Sequence, residues 1–192
     1  MTKVYFNIIK FLARDEYDFK ARYFPALLFT ITLEVIILYK YQVEFDLGWL
    51  SILKTTLFIL FSLFIALIPK NIATIVSGYL QTIVWDSVGS PTINYLKSNG
   101  FESLLDNKSD KDLLTEMYQV TRKDKKLLAK NIFYGFFRNA SFLLFIFLLV
   151  NVKYLNFYLF ETLVVFVIFI ILMIISTQRY AEQITKSYME MK

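Results

Sequence analysis

The sequence predicts an all-α integral membrane protein: four transmembrane helices as two hairpins, with a cytoplasmic helical insertion between them. Three observations carry that prediction. Of 192 residues, 57% are hydrophobic and 19% charged, and the mean hydropathy is +0.51; soluble domains hold roughly 45–50% apolar and about 25% charged residues. Four stretches, 24–41, 49–69, 132–152 and 155–176, come near the ~20 apolar residues that a bilayer crossing needs. Three Pro and five Gly leave little material for a turn-rich β fold.

Taken in order, residues 1–23 read as a cytoplasmic interfacial helix. They carry charges of both signs and no small-residue cleavage site, which argues against a secretory signal. Val4, Tyr5, Ile8, Ile9 and Leu12 place one apolar stripe on the membrane surface. Residues 24–69 form the first hairpin, with about seven residues between its spans, and Pro69 ends or kinks the second span. In the cytoplasmic region, 70–130, Ile72, Ile75, Val76, Tyr79, Leu80, Ile83 and Val84 follow helical spacing. Ser90-Pro91 reads as an N-cap with its first helical residue, and Gly100 as the stop of that short helix. Ser109 with Asp112 forms a capping pair, and from Asp124 the pattern runs toward the third span. A region of about 60 residues is near the lower limit for folding alone, so it packs against helix extensions or against copies of itself. Residues 131–178 form the second hairpin, and 179–192 a cytoplasmic tail.

Lysine and arginine set the orientation. Five precede the first span, nine lie in the central region and three in the tail, while only Lys40 and Lys153 lie in or beside the hairpin connections. This asymmetry puts both termini and the insertion on the cytoplasmic side.

Ionisable residues inside spans are costly and are the first places to look for function. Glu34, Lys54, Arg138 and Glu161 are the four. At about 1.5 Å per residue, Glu34 lies roughly 10 Å, Lys54 roughly 6–8 Å and Glu161 roughly 9 Å below the outer ends of their spans. Either the three neutralise one another as a structural cluster, or they ring an ion path formed by several copies. A proton-coupled carrier is the third reading, opposed by the lack of His and of Gly or Pro breaks within the spans. Arg138 lies about two turns from the inner end, where it snorkels to lipid phosphates or faces a vestibule and binds an anion. Arg122, Lys123, Lys125 and Lys126, followed by Lys130, contact anionic lipid headgroups or neutralise the phosphates of a nucleotide or oligonucleotide.

Other chemistries are excluded. Without His or Cys there are no thiolate nucleophiles, disulfides or usual metal ligands. No phosphate-binding glycine loop occurs. No enzymatic activity and no cofactor are expected.

Two segments are more specific than composition. Trp85-Asp86-Ser87-Val88-Gly89-Ser90-Pro91-Thr92, continuing to Leu96 and Lys97, resembles a W-x-S-W-G-G-K-P-T-T-x-x-L-R pattern. Asn131-Ile132-Phe133-Tyr134-Gly135-Phe136-Phe137-Arg138-Asn139 resembles E-N-x-x-Y-G-F-R-R-N. Both patterns belong to a family of small four-helix bacterial membrane proteins, similar to the membrane effectors of the Hailong anti-phage system. About 25 residues carry the resemblance. The chain departs from it in having one Gly of the pair, with Val88 at the second Trp, Ser90 at the Lys, Ile93 at the second Thr, Lys97 at the Arg, Lys130 at the Glu and Phe137 at the first Arg. The resemblance implies a homo-oligomeric channel, with a tetramer favoured. Its gate answers to an oligodeoxynucleotide or nucleotide made by a partner nucleotidyltransferase. Trp85, Lys97, Arg122, Lys123, Lys126, Tyr134, Arg138 and Asn139 are the candidate ligand and gate residues; Tyr134 and Arg138, four apart, share a helix face. Glu34, Lys54 and Glu161 are the candidate path residues. A non-conducting accessory or scaffold subunit, or a small carrier, is the alternative.

Overall fold

The computed structural model describes residues 13–40, 49–104, 108–155 and 159–191, and no strand occurs among them. The chain has four helices long and apolar enough to cross a membrane: Asp18–Leu38, Thr56–Ser98, Lys125–Lys153 and Leu159–Met191. Of the predicted interfacial helix, 1–23, residues 1–12 lie outside the described residues, whereas Asp18–Tyr23 is helical, buries Asp18, Ala21 and Tyr23, and runs directly into the first long helix.

Helix α1 (Phe24–Lys40) follows a π-helical stretch, Asp18–Tyr23. Pro25 accounts for the wide turn, because it has no N–H for the carbonyl four residues back and its ring crowds that carbonyl. The Phe24 N–H reaches Phe19 C=O instead. α2 (Trp49–Ile65) and α3 (Leu67–Val88) meet at Ala66. Pro69 lies in the first turn of α3, where a missing N–H costs nothing, so the break expected at Pro69 falls just before it.

Gly89, at φ +85°, ends α3, and a Cβ there would also lie 2.8 Å from Asn94 Oδ1. Ser90 then caps α4 (Pro91–Ser98), its Oγ accepting from Ile93 N–H at 3.2 Å. Gly100, at φ +77°, follows the end of α4. Ser109 caps α5 (Asp110–Thr121) by accepting from Asp112 N–H at 3.2 Å. Asp124 caps α6 (Lys125–Val150) by accepting from Lys126 N–H at 2.8 Å. A π turn, Asn151–Leu155, closes α6, and α7 spans Leu159–Met191.

α6 is the hub. α1 lies along it in parallel, with Phe24 against Phe136 and Phe29 against Phe147. α7 lies along it the other way, with Phe166 on Phe145, Phe169 on Phe137 and Tyr180 stacked on Tyr134. Gly135 lets the N-terminal stretch approach: a Cβ there would sit 2.6 Å from Tyr17 Oη and 2.9 Å from Ala21 Cβ. Tyr23, fully buried, donates to Leu63 C=O at 2.8 Å and ties that stretch to α2. Asp18, also buried, pairs with Lys70 at 2.6 Å and with Arg22 at 3.4 Å.

At the other end of α6, α4 and α5 pack on its first turns and on the last half of α7. Ile93, Leu96, Leu113, Met117, Leu127, Ile184 and Tyr188 form that core. The central region therefore packs against helix extensions, one of the two arrangements expected. The helix expected over 72–84 forms as part of α3, and the face it buries is not the apolar stripe. Ala73 and Ser77 are buried, whereas Ile72, Ile75, Tyr79, Leu80 and Ile83 are exposed, Ile75 to 70%. Small residues let two helix backbones approach closely, so the small face meets α6 and the apolar stripe is left outward.

Candidate functional site

A cavity of about 1000 Å³ lies between α3, α6 and α7 and is capped by α4. Trp85, Tyr134 and Arg138 all line it, so three residues singled out in two distant segments come together in one place. Arg138 Nη1 donates to Gln81 Oε1 of α3, and its guanidinium carbon lies 5.6 Å from the centre of the Tyr134 ring. A guanidinium stays charged under all ordinary conditions, and no carboxylate reaches this one among the described residues. Its Nε is buried without a hydrogen-bond partner, and so is Ser141 Oγ, one turn further along the same helix. The Tyr134 ring stacks on Tyr180, centres 6.0 Å apart and planes 13° from parallel. Tyr134 thus supports Arg138 and joins the cavity to the bundle core.

Asn139 is placed elsewhere. It is fully buried. Its Nδ2 donates to the Ala21 carbonyl at 2.7 Å, the carbonyl that Pro25 cannot serve, and its Oδ1 accepts from Ser77 Oγ at 2.9 Å. This one amide clamps the N-terminal stretch, α3 and α6 together. Lys97 is exposed on α4 and does not line the cavity.

The basic run makes a second site. Where α5 turns into α6, Tyr118, Arg122, Asp124, Leu127, Asn131 and Tyr180 line a hollow of about 430 Å³. Lys123 and Lys126 are exposed close by in sequence. Asp124 is committed to structure: beyond capping α6 it accepts a hydrogen bond from Ser187 Oγ of α7. That bond, opposed by partial burial and helped by the Lys126 and Leu127 N–H groups and the Lys126 charge, holds its carboxyl below the usual range.

The two acids of the predicted spans lie apart. Glu34 accepts from Ser62 Oγ of α2. Glu161 faces a different cavity, about 360 Å³ between α1, α6 and α7, walled by Leu28, Phe29, Phe136, Leu143 and Phe147. Lys54 is on α2, and its side chain lies outside the described residues. Among the described residues no three metal-ligating side chains converge.

Reasoning from sequence missed Gln81, Ser141, Tyr118 and Asn131, and the Asp18–Lys70 pair. Tyr118 and Arg122 stand four apart on one helix, a spacing that identifies them as a shared face; the others depend on contacts between distant helices. No family model, curated protein or solved structure matches the chain.

Proposed function

We propose that this chain is one subunit of a homo-oligomeric, ligand-gated channel in the bacterial inner membrane, acting as an effector in anti-phage defence. Both termini and the α4–α5 bundle face the cytoplasm, and the two helix pairs are hairpins across the bilayer. A nucleotide or oligodeoxynucleotide made by a partner nucleotidyltransferase sets the gate, and the open gate dissipates the membrane potential.

The observation that carries this reading is the continuity of α6 and α7. They run 26 and 33 residues without interruption, or about 39 and 50 Å at ~1.5 Å per residue, against a hydrocarbon core of about 30 Å. The same rigid rods carry the basic corner at one end and the apolar spans at the other. A ligand that displaces the start of α6 must therefore move the spans. At the corner, Arg122, Lys123 and Lys126 supply charge for phosphates, Tyr118 supplies a ring for a base, and Asn131 supplies an amide for its edge. Trp85, Tyr134 and Arg138 lie between that corner and the spans and transmit the shift. The exposed apolar stripe of α3 offers a surface for a neighbouring copy, and Glu34, Lys54 and Glu161 shape the conducting path.

The test is ion flux from liposomes holding the purified protein, with and without short single-stranded DNA oligomers on the cytoplasmic face. We expect flux to respond to the oligomer, and Arg122→Ala with Tyr118→Ala to raise the concentration needed about tenfold or more. Glu34→Gln and Glu161→Gln should alter ion selectivity and leave assembly intact. Flux that ignores DNA and cyclic nucleotides alike would remove the ligand from the account. No flux under any condition would overturn the channel and leave an accessory subunit.

A further inference from the structure

The cavity between α3, α6 and α7 is built unlike the basic corner. It holds one cation, Arg138, whose hydrogen-bond partner is the neutral Gln81 and which meets no carboxylate among the described residues. Two polar atoms on one face of α6, Arg138 Nε and Ser141 Oγ, are buried with nothing to bond, and Ser141 is only 3% exposed. Buried donors without partners are rare in folded proteins, and each is costly. One belongs to the Arg138 guanidinium, which makes no ion pair among the described residues, and the other is a hydroxyl one turn on, so the pair offers donors for one oxyanion. Guanidinium groups bind carboxylate and phosphate through paired N–H groups, and a hydroxyl at i+3 completes the cradle.

Toward α4 the wall is polar, with Asn94, Ser98, Gln178 and Glu182, whose carboxylate is paired with Lys186; the opposite side is apolar. Leu80, Phe142, Phe145, Phe166, Ile170 and Ile174 continue away from those donors along α3, α6 and α7. Phe145 and Ile174 are 45% and 50% exposed, so the wall runs on into the outward apolar surface of the spans. Its volume, about 1000 Å³, stands at the top of the range for small-molecule pockets, roughly 300–1,000 Å³. A polyanion finds a single positive charge here, Arg138, and one carboxylate, Glu182. A molecule with one anionic head and a long apolar body finds a partner for each part.

We propose that this cavity binds an anionic amphiphile, its phosphate or carboxylate on Arg138 and Ser141 and its acyl chain between Phe142, Phe145 and Ile170. The bilayer's own acidic phospholipid and a free fatty acid share that chemistry. Occupancy wedges α3 from α7 and sets their spacing. This inference is independent of the gating reading and holds whether or not the protein conducts.

The chain has two tryptophans, so a Trp49→Phe background leaves Trp85, on the cavity wall, as the sole indole. The full-length protein is reconstituted in phosphatidylcholine vesicles, and quenching of Trp85 is followed as brominated phosphatidylglycerol, brominated phosphatidylcholine or brominated fatty acid is titrated in. We expect phosphatidylglycerol or the fatty acid to quench at about tenfold lower mole fraction than phosphatidylcholine; whichever is lower identifies the source. Arg138→Gln should abolish the preference, Arg138→Lys should keep most of it, and Ser141→Ala should weaken it several-fold with the fold intact by circular dichroism. Octyl phosphate should displace the quencher where inorganic phosphate does not. Equal quenching by the charged and neutral lipids would overturn the proposal, as would a preference that survives Arg138→Gln. Displacement by inorganic phosphate alone would reduce the site to an ion site and also overturn it.

Discussion

The two halves of α7 are one continuous helix built to two different rules. From Leu159 to Ile175 the residues are almost all apolar and none is buried; Phe160, Ile168, Ile171 and Ile174 stand open, Ile171 to 50%. From Ser176 onward Tyr180, Ala181, Ile184, Thr185, Ser187 and Tyr188 are buried, while Arg179, Lys186 and Glu190 stay exposed. In water an apolar side chain is stabilised only by leaving the solvent, so the second half sorts its residues by face. In lipid the surroundings are already apolar, and a helix that is hydrophobic all round needs no buried side. The change of rule at Ser176 marks, on the proposed reading, the inner surface of the membrane.

Several substitutions sharpen or break this comparison. Ile184→Ala should be among the most damaging, about 2–5 kcal/mol, because it empties a fully buried site in the bundle core. Ile171→Ala, the same change in the first half, should move the detergent melting temperature hardly at all. Comparable losses for the two would mean that the halves do not differ.

Asn139→Ala comes next. It orphans the Ala21 carbonyl and the Ser77 hydroxyl, at about 1–3 kcal/mol for each group left buried and unpaired. Gly135→Ala should cost about 1–3 kcal/mol by pushing the N-terminal stretch off α6. Adding Ala21→Gly should return part of that loss, since the added carbon meets Ala21 Cβ; a double variant no better than the single would locate the strain elsewhere. Asp124→Ala should cost about 0.5–2 kcal/mol as a lost cap. Its carboxyl is held below the ordinary value near 3.9 in the folded state. Its contribution is therefore fully present above about pH 4 and disappears as the pH falls through the folded value. The gap in melting temperature between parent and variant should accordingly close on acidification. A gap that widened would contradict the assigned bonds.

The local half of this architecture was legible in the residues. Ser90, Ser109 and Asp124 cap helices because a short polar side chain reaches its own backbone two or three residues on, and Gly100 follows the end of α4 because few other residues take a positive φ. The spans were legible from hydropathy. The clamp was half legible: Pro25 announces that the Ala21 carbonyl lacks its usual donor, but nothing near it names Asn139, 118 residues away. Gln81 facing Arg138 and Lys70 facing Asp18 are of the same kind, set by the register of helices distant in sequence. The period over 72–84 identified α3 as a helix, yet its packed face is the small one at Ala73 and Ser77. Periodicity names the apolar side of a helix, but the side that packs here is the one whose small residues let α6 approach. The Tyr134–Tyr180 stack is likewise set by helix register, a partner that the Tyr134–Arg138 spacing does not name.

The central claim is that α7 passes from lipid to water near Ser176, and the absence of cysteine from the chain makes it directly measurable. Single cysteines at Leu163, Val167, Ile171, Ile174, Gln178, Lys186 and Glu190 would be exposed to a membrane-impermeant maleimide in inverted inner-membrane vesicles. The account predicts no labelling through Ile174 and strong labelling at Gln178, Lys186 and Glu190. Labelling at Ile171 or above, or protection of Lys186 and Glu190 from the cytoplasmic side, would contradict it.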